Sequence, residues 1–489
     1  MCKKIVIAAI VSICLVFTGC STGQPKEEEK QINVKDTGRQ EKNNTKADNT
    51  TKEKDKTNVK GELQLLSSQR MHFMSEAGYY YITEEEKELK DGTSGRHIMY
   101  MDFAAKQEVY LCAEPGCKHN NKNCTAVLAS EEFGNAPLIF VCNDTLYVVS
   151  REYDKEGQVS SGTLLIGIGE DGYSYVEDPE IPVALYSMGL DGTNRTKEYT
   201  FEQGIMLDED VLYDGKDIYL VTKKINSSSS KSSNQKTTYY YTASEYELVK
   251  YQTENAKLAK VCSLEFEDNI RWYIKGCHNN NVILYGTKYN KNLTLEEQDK
   301  LETEELWEWS RDSKEVYACL DPVQGSIKEI YSIENDPNLY HSVVMSGDYL
   351  YISDEKTNKM EKLDIETGKI QKFVTSFNMH FWGTLSDKLY GAPWDQQSDD
   401  HTIYFVDINS GKIDHCTLVN HKNGWKLDII GETGNQVLAI YDWDAEKDKD
   451  IKDKDVYDVK RKQYGLIDKK DLYQSKDRFE KIEMKGAGE

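Results

Sequence analysis

No catalytic signature runs through this chain. A nucleophile elbow, a phosphate-binding P-loop, a dinucleotide fingerprint and a zincin motif are all missing. Abundant Asp and Glu allow a glycosidase-like carboxylate pair, yet nothing singles out two of them. Basic charge is short as well: 61 Lys and Arg stand against 84 Asp and Glu, a net charge of −23. The first 20 residues and residues 21–60 each carry +2, so residues 61–489 carry −27. An acidic body of that size argues against a nucleic-acid partner and against lying on an anionic membrane. It suits solubility, and attraction for cations or cationic ligands is its sharper use.

Long apolar runs are lacking too, with one exception. Lys3 and Lys4 precede a run from Ile5 to Phe17 in which Ser12 is the only polar residue. A permanent membrane span needs ~20 such residues, so this shorter run reads as an export signal over residues 1–19. It ends in Phe17-Thr18-Gly19-Cys20, which resembles a bacterial lipobox with Phe17 in place of the usual Leu. The resemblance implies cleavage before Cys20, lipid on that cysteine and a place on the extracytoplasmic face of the cell membrane. An ordinary secretory signal beside an incidental cysteine is the plain alternative. No second window approaches ~18 apolar residues, so the membrane is met through the lipid alone. Residues 20–61 are mostly Lys, Glu, Asn, Thr and Asp. They bury too little to offset ordering entropy and are expected to form a disordered tether reaching roughly 35 Å.

Helical periodicity is the third absence. Over residues 62–489 no long run with a 3.6-residue period dominates, whereas short β-type runs recur between turn residues. One unit is an apolar-aromatic strand, carrying in turn Tyr80, Tyr147, Tyr219, Tyr285, Tyr351, Tyr390 and Tyr441. Turn signals such as Asn143-Asp144, Gly347-Asp348 and Gly434-Asn435 precede most of these strands. A second unit is an apolar strand ending in Asp: Asp102, Asp191, Asp321, Asp364, Asp407 and Asp468, with Gln252 in the third repeat. Asp321 to Asp364 and Asp364 to Asp407 each span 43 residues, the length of a four-stranded propeller blade. The count predicts an all-β fold, a seven-bladed β-propeller. One misread repeat would make it six or eight, and a sandwich pair or solenoid is the alternative. The early strand near Leu63–Leu66 and the last near Phe479–Met484 are expected to close the ring together.

The spacing from the repeated Tyr to the Asp locates the insertions. It is 13 residues in repeat five and 17 in repeat six, but 44, 33 and 36 in repeats two, three and four. The extra residues fall between second and third strands. Those loops share one propeller face with the blade-to-blade connections, which marks that face for binding. Ser227–Ser233 reads as a loop tip there. Residues 294–309 read as the one helix, with Thr294 and Glu297 as a capping box. The charged stretch Asp444–Asp455 superficially fits a calcium loop. Lys449 occupies its glycine position, so a charged loop is the better reading.

The most specific pattern is Leu111-Cys112-Ala113-Glu114-Pro115-Gly116-Cys117-Lys118-His119, with Cys124 five residues further on. With the Tyr-rich strand pair before it, this element resembles a group of uncharacterised clostridial-type surface lipoproteins with a predicted propeller head. The resemblance covers most of the head; it implies fold and location, and no reaction. Three Cys and one His permit a four-ligand metal site, though the spacing is not a standard zinc-finger one and a single residue separates Cys117 from His119. Once Cys2, Cys14 and Cys20 are set aside, eight of the 11 cysteines remain, an even number outside the cytoplasm. A disulfide among Cys112, Cys117, Cys124 and Cys142 is therefore the favoured expectation, with free thiols as the third reading.

At the channel mouth, His341 and His380 stand at equivalent positions, ten residues before Tyr351 and Tyr390. Arg271, Trp272, Trp382 and Trp425 fall in or beside neighbouring inner strands. Aromatic and polar groups converging on a funnel suit a sugar or peptide, although channel mouths are commonly lined this way. The reading is a monomeric binding or sensory module for an extracellular ligand or protein partner, without cofactor. A glycan hydrolase or lyase on the same face is the alternative.

Overall fold

In a computed structural model, the structure describes residues 61–485, apart from 135, 152–181, 234–235, 265–269, 292, 294–296, 298–300, 302, 336–339 and 448–456. The signal, Cys20 and most of the expected tether lie outside the described residues, as do Thr294 and most of the acidic stretch.

Seven antiparallel sheets follow one another along the chain as a seven-bladed β-propeller. A short strand, β1 (Gln64–Ser67), precedes the first blade. Blade one contains β2 (His72–Met74), β3 (Gly78–Ile82), β4 (Lys87–Glu88), β5 (Ser94–Asp102), β6 (Gln107–Tyr110) and β7 (Val127–Ala129), then a single helical turn, α1 (Ser130–Phe133). Blade two is β8 (Leu138–Cys142), β9 (Thr145–Val149), β10 (Ala184–Gly189) and β11 (Thr196–Thr200). Blade three is β12 (Ile205–Tyr213), β13 (Ile218–Ser233), β14 (Lys236–Gln252) and β15 (Lys257–Ser263). Blade four is β16 (Arg271–His278), β17 (Asn281–Tyr289), β18 (Ser313–Asp321) and β19 (Ser326–Glu334), with α2 (Thr303–Arg311) between its middle strands. Blade five is β20 (His341–Ser346), β21 (Tyr349–Asp354), β22 (Lys359–Asp364) and β23 (Ile370–Val374). Blade six is β24 (His380–Thr384), β25 (Lys388–Ala392), β26 (Ile403–Asp407) and β27 (Ile413–Cys416). Blade seven is β28 (Asp428–Thr433), β29 (Gln436–Lys447), β30 (Tyr457–Asp468) and β31 (Glu480–Lys481), with the turn α3 (Lys469–Leu472). No described helix is long and apolar enough to cross a membrane.

The repeated residues make the repeated structure. All seven tyrosines lie on second strands. The Asp at the end of a third strand builds the next turn with its own carboxylate. Asp364 Oδ1 accepts from Thr367 N at 2.8 Å and Thr367 Oγ1 at 2.7 Å, and Asp407 Oδ1 does the same with Ser410. The turn then presses on the outer strand of the blade before it. A Cβ at Gly192 would come within 2.2 Å of Leu111 O, and Gly192 also has φ +82°, so only glycine fits there. At the inner hairpins, Asn143-Asp144 and Asn279-Asn280 all have positive φ, as a two-residue type I′ turn requires.

The ends of the ring differ from the sequence expectation. β1 does not meet the last strand. It pairs antiparallel with β12, the innermost strand of blade three, with Gln64 opposite Tyr213 and Leu65 opposite Leu212. It is a fifth strand inside the central channel. Leu63 and Leu65 join the apolar core between blades three and four, and Leu66 joins the core between blades two and three. Leu63 N donates to Asn280 Oδ1 at 2.8 Å, so the chain enters at the face of the tight inner turns, opposite the insertions. At the far end, Arg70 donates to Ala136 O (3.3 Å) and to Leu207 O, and its Nε lies 3.4 Å from Glu209. The ring closes as a seam between blades seven and one. Tyr79, Tyr81, Met99 and Met101 pack on Leu438, Ile440, Tyr464 and Leu466, and Gln107 bridges Glu483.

The insertions also correct one reading. Ser227–Ser233 is not a loop tip: it belongs to β13, which runs on with β14 as a long hairpin arm down to the pair Ser233 and Lys236. The described helix of repeat four, Thr303–Arg311, overlaps the second half of the expected one, whose first half lies mostly outside the described residues, and Trp309 stacks on Tyr289 with centroids 4.3 Å apart.

Candidate functional site

On the insertion face, blades six and seven carry an aromatic rim. His380 opens β24 and its ring lies 5.2 Å from that of Trp394, in the loop after β25. Two residues along β24, Trp382 receives Lys426 Nζ 3.6 Å from its ring centroid. His401 stacks on Trp425 with centroids 6.4 Å apart. Burial first, and then the charge of Lys426, holds the His380 imidazole below its ordinary range. Burial likewise lowers the Lys426 ammonium.

Trp425 is the exposed member, 58% accessible, and its loop is built to hold it. Asn420, itself buried, accepts from Lys422 N through its side chain and from Gly424 N through its carbonyl, both at 2.9 Å. Asn420 N donates to Trp425 O at 2.7 Å, and Trp425 N to Asn423 Oδ1 at 2.9 Å. A large indole facing water from a hydrogen-bonded hairpin is a ready platform for a sugar ring or a peptide side chain.

The channel wall at blades three to five is charged. Between Leu207 and Val211 the register of β12 slips, and the bulge displays Asp208, Glu209 and Asp210. Arg70 answers Glu209, and Lys223 answers Asp208 at 2.8 Å. Burial, then the neighbouring Asp208 and Glu209 charges, push the Asp210 carboxyl up to about 7. Glu315 goes the other way. Burial works against its charge, but hydrogen bonds from His341 and Tyr317 and the charge of Lys275 hold it below the usual carboxylate range. His341 Nε2 lies 3.0 Å from Glu315, while its buried Nδ1 has no hydrogen-bond partner among the described residues.

The expected channel-mouth set is therefore divided. His380, Trp382 and Trp425 fall on the rim, and His341 joins the charged wall. Trp272 is 6% exposed and packs in the core between blades three and four, so it lines no funnel. Its neighbour Tyr273, 36% exposed, takes the opposite side of the strand. Arg271 opens β16. Trp394, His401, Lys426 and the Asp208–Asp210 bulge were not singled out from the sequence. Trp394 carried a usable signal, being a Trp in a second-to-third-strand loop of the insertion face.

The cysteine element does not follow the last strand of blade one; it interrupts it. β6 and β7 pair with successive parts of the same edge of β5. Leu111 N donates to Ile98 O, and Ile98 N to Ala126 O, so residues 112–125 are extruded from one point. No disulfide joins the four cysteines named above: all eight described cysteines are free. Cys142 ends β8 at the tight-turn face and packs in the core between blades two and three, away from the loop. Cys112, Cys117, His119 and Cys124 instead place their ligand atoms within 4.8 Å of one another.

A cleft of about 440 Å³ lies beside α1, lined by Glu131, Glu132, Pro182, Tyr186, Lys197 and Thr200. Tyr186 already donates to Glu132 at 2.8 Å.

No family model and no curated protein matches the chain. Among solved structures, it is similar to a Pyrococcus horikoshii acylaminoacyl peptidase at 11% identity and a TM-score of 0.38, over 67% of this chain and 43% of that one. It is similar to oligopeptidase B from Leishmania major at 8% and 0.41, over 88% and 49%. It is also similar to an oligogalacturonate lyase from Vibrio parahaemolyticus at 10% and 0.36, over 78% and 94%. The chain thus spans about half the length of the peptidases it matches.

Proposed function

We propose that this protein is a lipid-anchored binding module on the outer face of the cell membrane, akin to the clostridial-type surface lipoproteins that its cysteine element resembles. Its ligand is an extracellular glycan, held at the rim of blades six and seven. The observation that carries this reading is Trp425, exposed on a hydrogen-bonded hairpin with its ring stacked on His401, while the next residue, Lys426, lies over Trp382. Indole faces stack on sugar rings, and fixed aromatics concentrate binding energy. The insertion face lies opposite the point where the described chain enters at Leu63. Screening the full chain in detergent on glycan and peptide arrays identifies the ligand. Trp425→Ala should then weaken binding at least ~30-fold, the scale of an aromatic hot spot. An unchanged dissociation constant would place the site elsewhere.

Anchoring has its own test. Cys20→Ala should leave the protein unprocessed or release it into the medium. Normal processing with full membrane retention would refute lipid attachment at Cys20.

A glycan hydrolase or lyase is the second reading. It is favoured by Asp210 and Glu315, two carboxyls whose surroundings drive their proton affinities in opposite directions. Turnover of an array ligand, abolished by Asp210→Asn, would replace the binding reading with this one.

A further inference from the structure

We propose that Cys112, Cys117, His119 and Cys124 hold a zinc ion, coordinated tetrahedrally by three sulfurs and one nitrogen, and that this ion is the core of loop 112–125. The loop has little else inside it. Its buried cluster consists of Leu89, Cys124, Ala126 and Val127, with Tyr110, Cys112 and Cys117 packed against it. The four ligand atoms lie within 4.8 Å of one another. Zinc–sulfur and zinc–nitrogen bonds of about 2.3 and 2.0 Å set donor atoms about 3.5–3.8 Å apart in a tetrahedron. His119 Nδ1 is already 3.3 Å from Cys124 Sγ. Closing the rest onto a metal needs shifts of about 1 Å, judged against that tetrahedral spacing.

The backbone is shaped for this arrangement. One residue between Cys117 and His119 is too short a link for joint chelation in extended chain. His119 resolves this by adopting φ +50°, a left-handed conformation that histidine tolerates better than most residues. The turn brings its ring back over the sulfurs and lets its own N–H donate to Cys117 Sγ at 3.4 Å. Backbone N–H groups of Glu114 and Ala126 likewise face Cys112 and Cys124. Each sulfur thus meets the N–H two residues on. The imidazole is fixed from outside as well. Tyr110 stacks on it at 4.4 Å and 17°, and His97 Nε2 bonds the His119 carbonyl at 2.6 Å.

The ligand set selects the metal. Three soft sulfurs and an imidazole suit zinc and do not suit calcium or magnesium. Four protein ligands leave no open position, so the site is structural. A disulfide would engage two of the three sulfurs and leave the third and the imidazole turned inward without a role. The staple also holds its neighbour: Lys90 N donates to Asn120 O and Lys122 N to Asp91 Oδ2, both at 2.9 Å.

The test uses the full chain, isolated in detergent without reductant or chelator. Elemental analysis should find close to one zinc per chain. Cobalt exchanged into the site should give the visible bands of a tetrahedral ion with a thiolate charge-transfer band. Chelation should expose three further thiols to a thiol reagent and open the loop to protease, while the far-ultraviolet spectrum of the propeller persists. Cys117→Ser should bring the metal to near zero, His119→Cys should retain it, and Cys142→Ala should leave it unchanged. Two results would overturn the proposal: a reduced chain that takes up neither zinc nor cobalt, or a metal-free chain two hydrogens lighter through a disulfide.

Discussion

Arg70→Ala should destabilise the propeller by about 1–3 kcal/mol, measured as a shift of the denaturation midpoint. The guanidinium sits at the top of the central channel with a side chain only 17% exposed. It satisfies two backbone carbonyls and Glu209 at once. Its removal leaves two backbone carbonyls without their donor, while the half-exposed Glu209 turns to water. Deletion of residues 61–69 should cost more. It uncovers the inner edge of β12 and takes Leu63 and Leu65 from the core between blades three and four. If both variants unfold at the parent midpoint, β1 is an accessory strand and not part of the fold.

Asp210→Asn should remove a pH-dependent loss of stability at the same wall. The folded-state carboxyl titrates at about 7 against an ordinary 3.8, chiefly through burial. The native state therefore binds the proton more tightly than the unfolded chain. Stability contributed by the protonated form is complete below about 4 and is lost as the pH rises to about 7. The upper bound of that loss is about 4 kcal/mol. His72 slopes the opposite way: burial first, then Lys462, lowers it from 6.5 to about 4. The informative quantity is thus the difference between variant and parent. Asn at 210 should be near neutral at about pH 4 and stabilising by about 2–4 kcal/mol at about pH 8. Parallel profiles across that range would show that Asp210 is ionised in the fold throughout.

The blades were legible because each is written locally. A third-strand Asp accepts hydrogen bonds from residues two or three further on, so the signal and the structure it makes share one short stretch. β1 was not legible, because its partner lies about 145 residues away and four residues carry no period. Strand parity explains Trp272. Alternation places Trp272 and Ile274 in the blade core and Tyr273 outside, and a sequence offset of one residue exchanges the two sides.

The cysteine element is legible in its composition but not in its geometry. An even number of cysteines speaks for pairing only if the partners can meet, and Cys142 belongs to a different core from the loop. The left-handed turn at His119 has no sequence marker, since histidine is not the residue that announces one. At the rim, Trp425 stood out as a tryptophan near an inner strand. Its neighbour Lys426 did not, because one lysine among many says nothing until its ammonium is seen over Trp382.

The course of β1 decides how this body bears a pull. A pull applied at Gly61 along β1 runs parallel to its ladder with β12. The ladder to β12 is then loaded in shear, so its bonds resist together and are not peeled in succession. Arg70 clamps the far end of the same strand. The force enters the disc at its hub, and the seam between blades seven and one, closed by packing, side-chain pairs and a short bridge, lies away from its path.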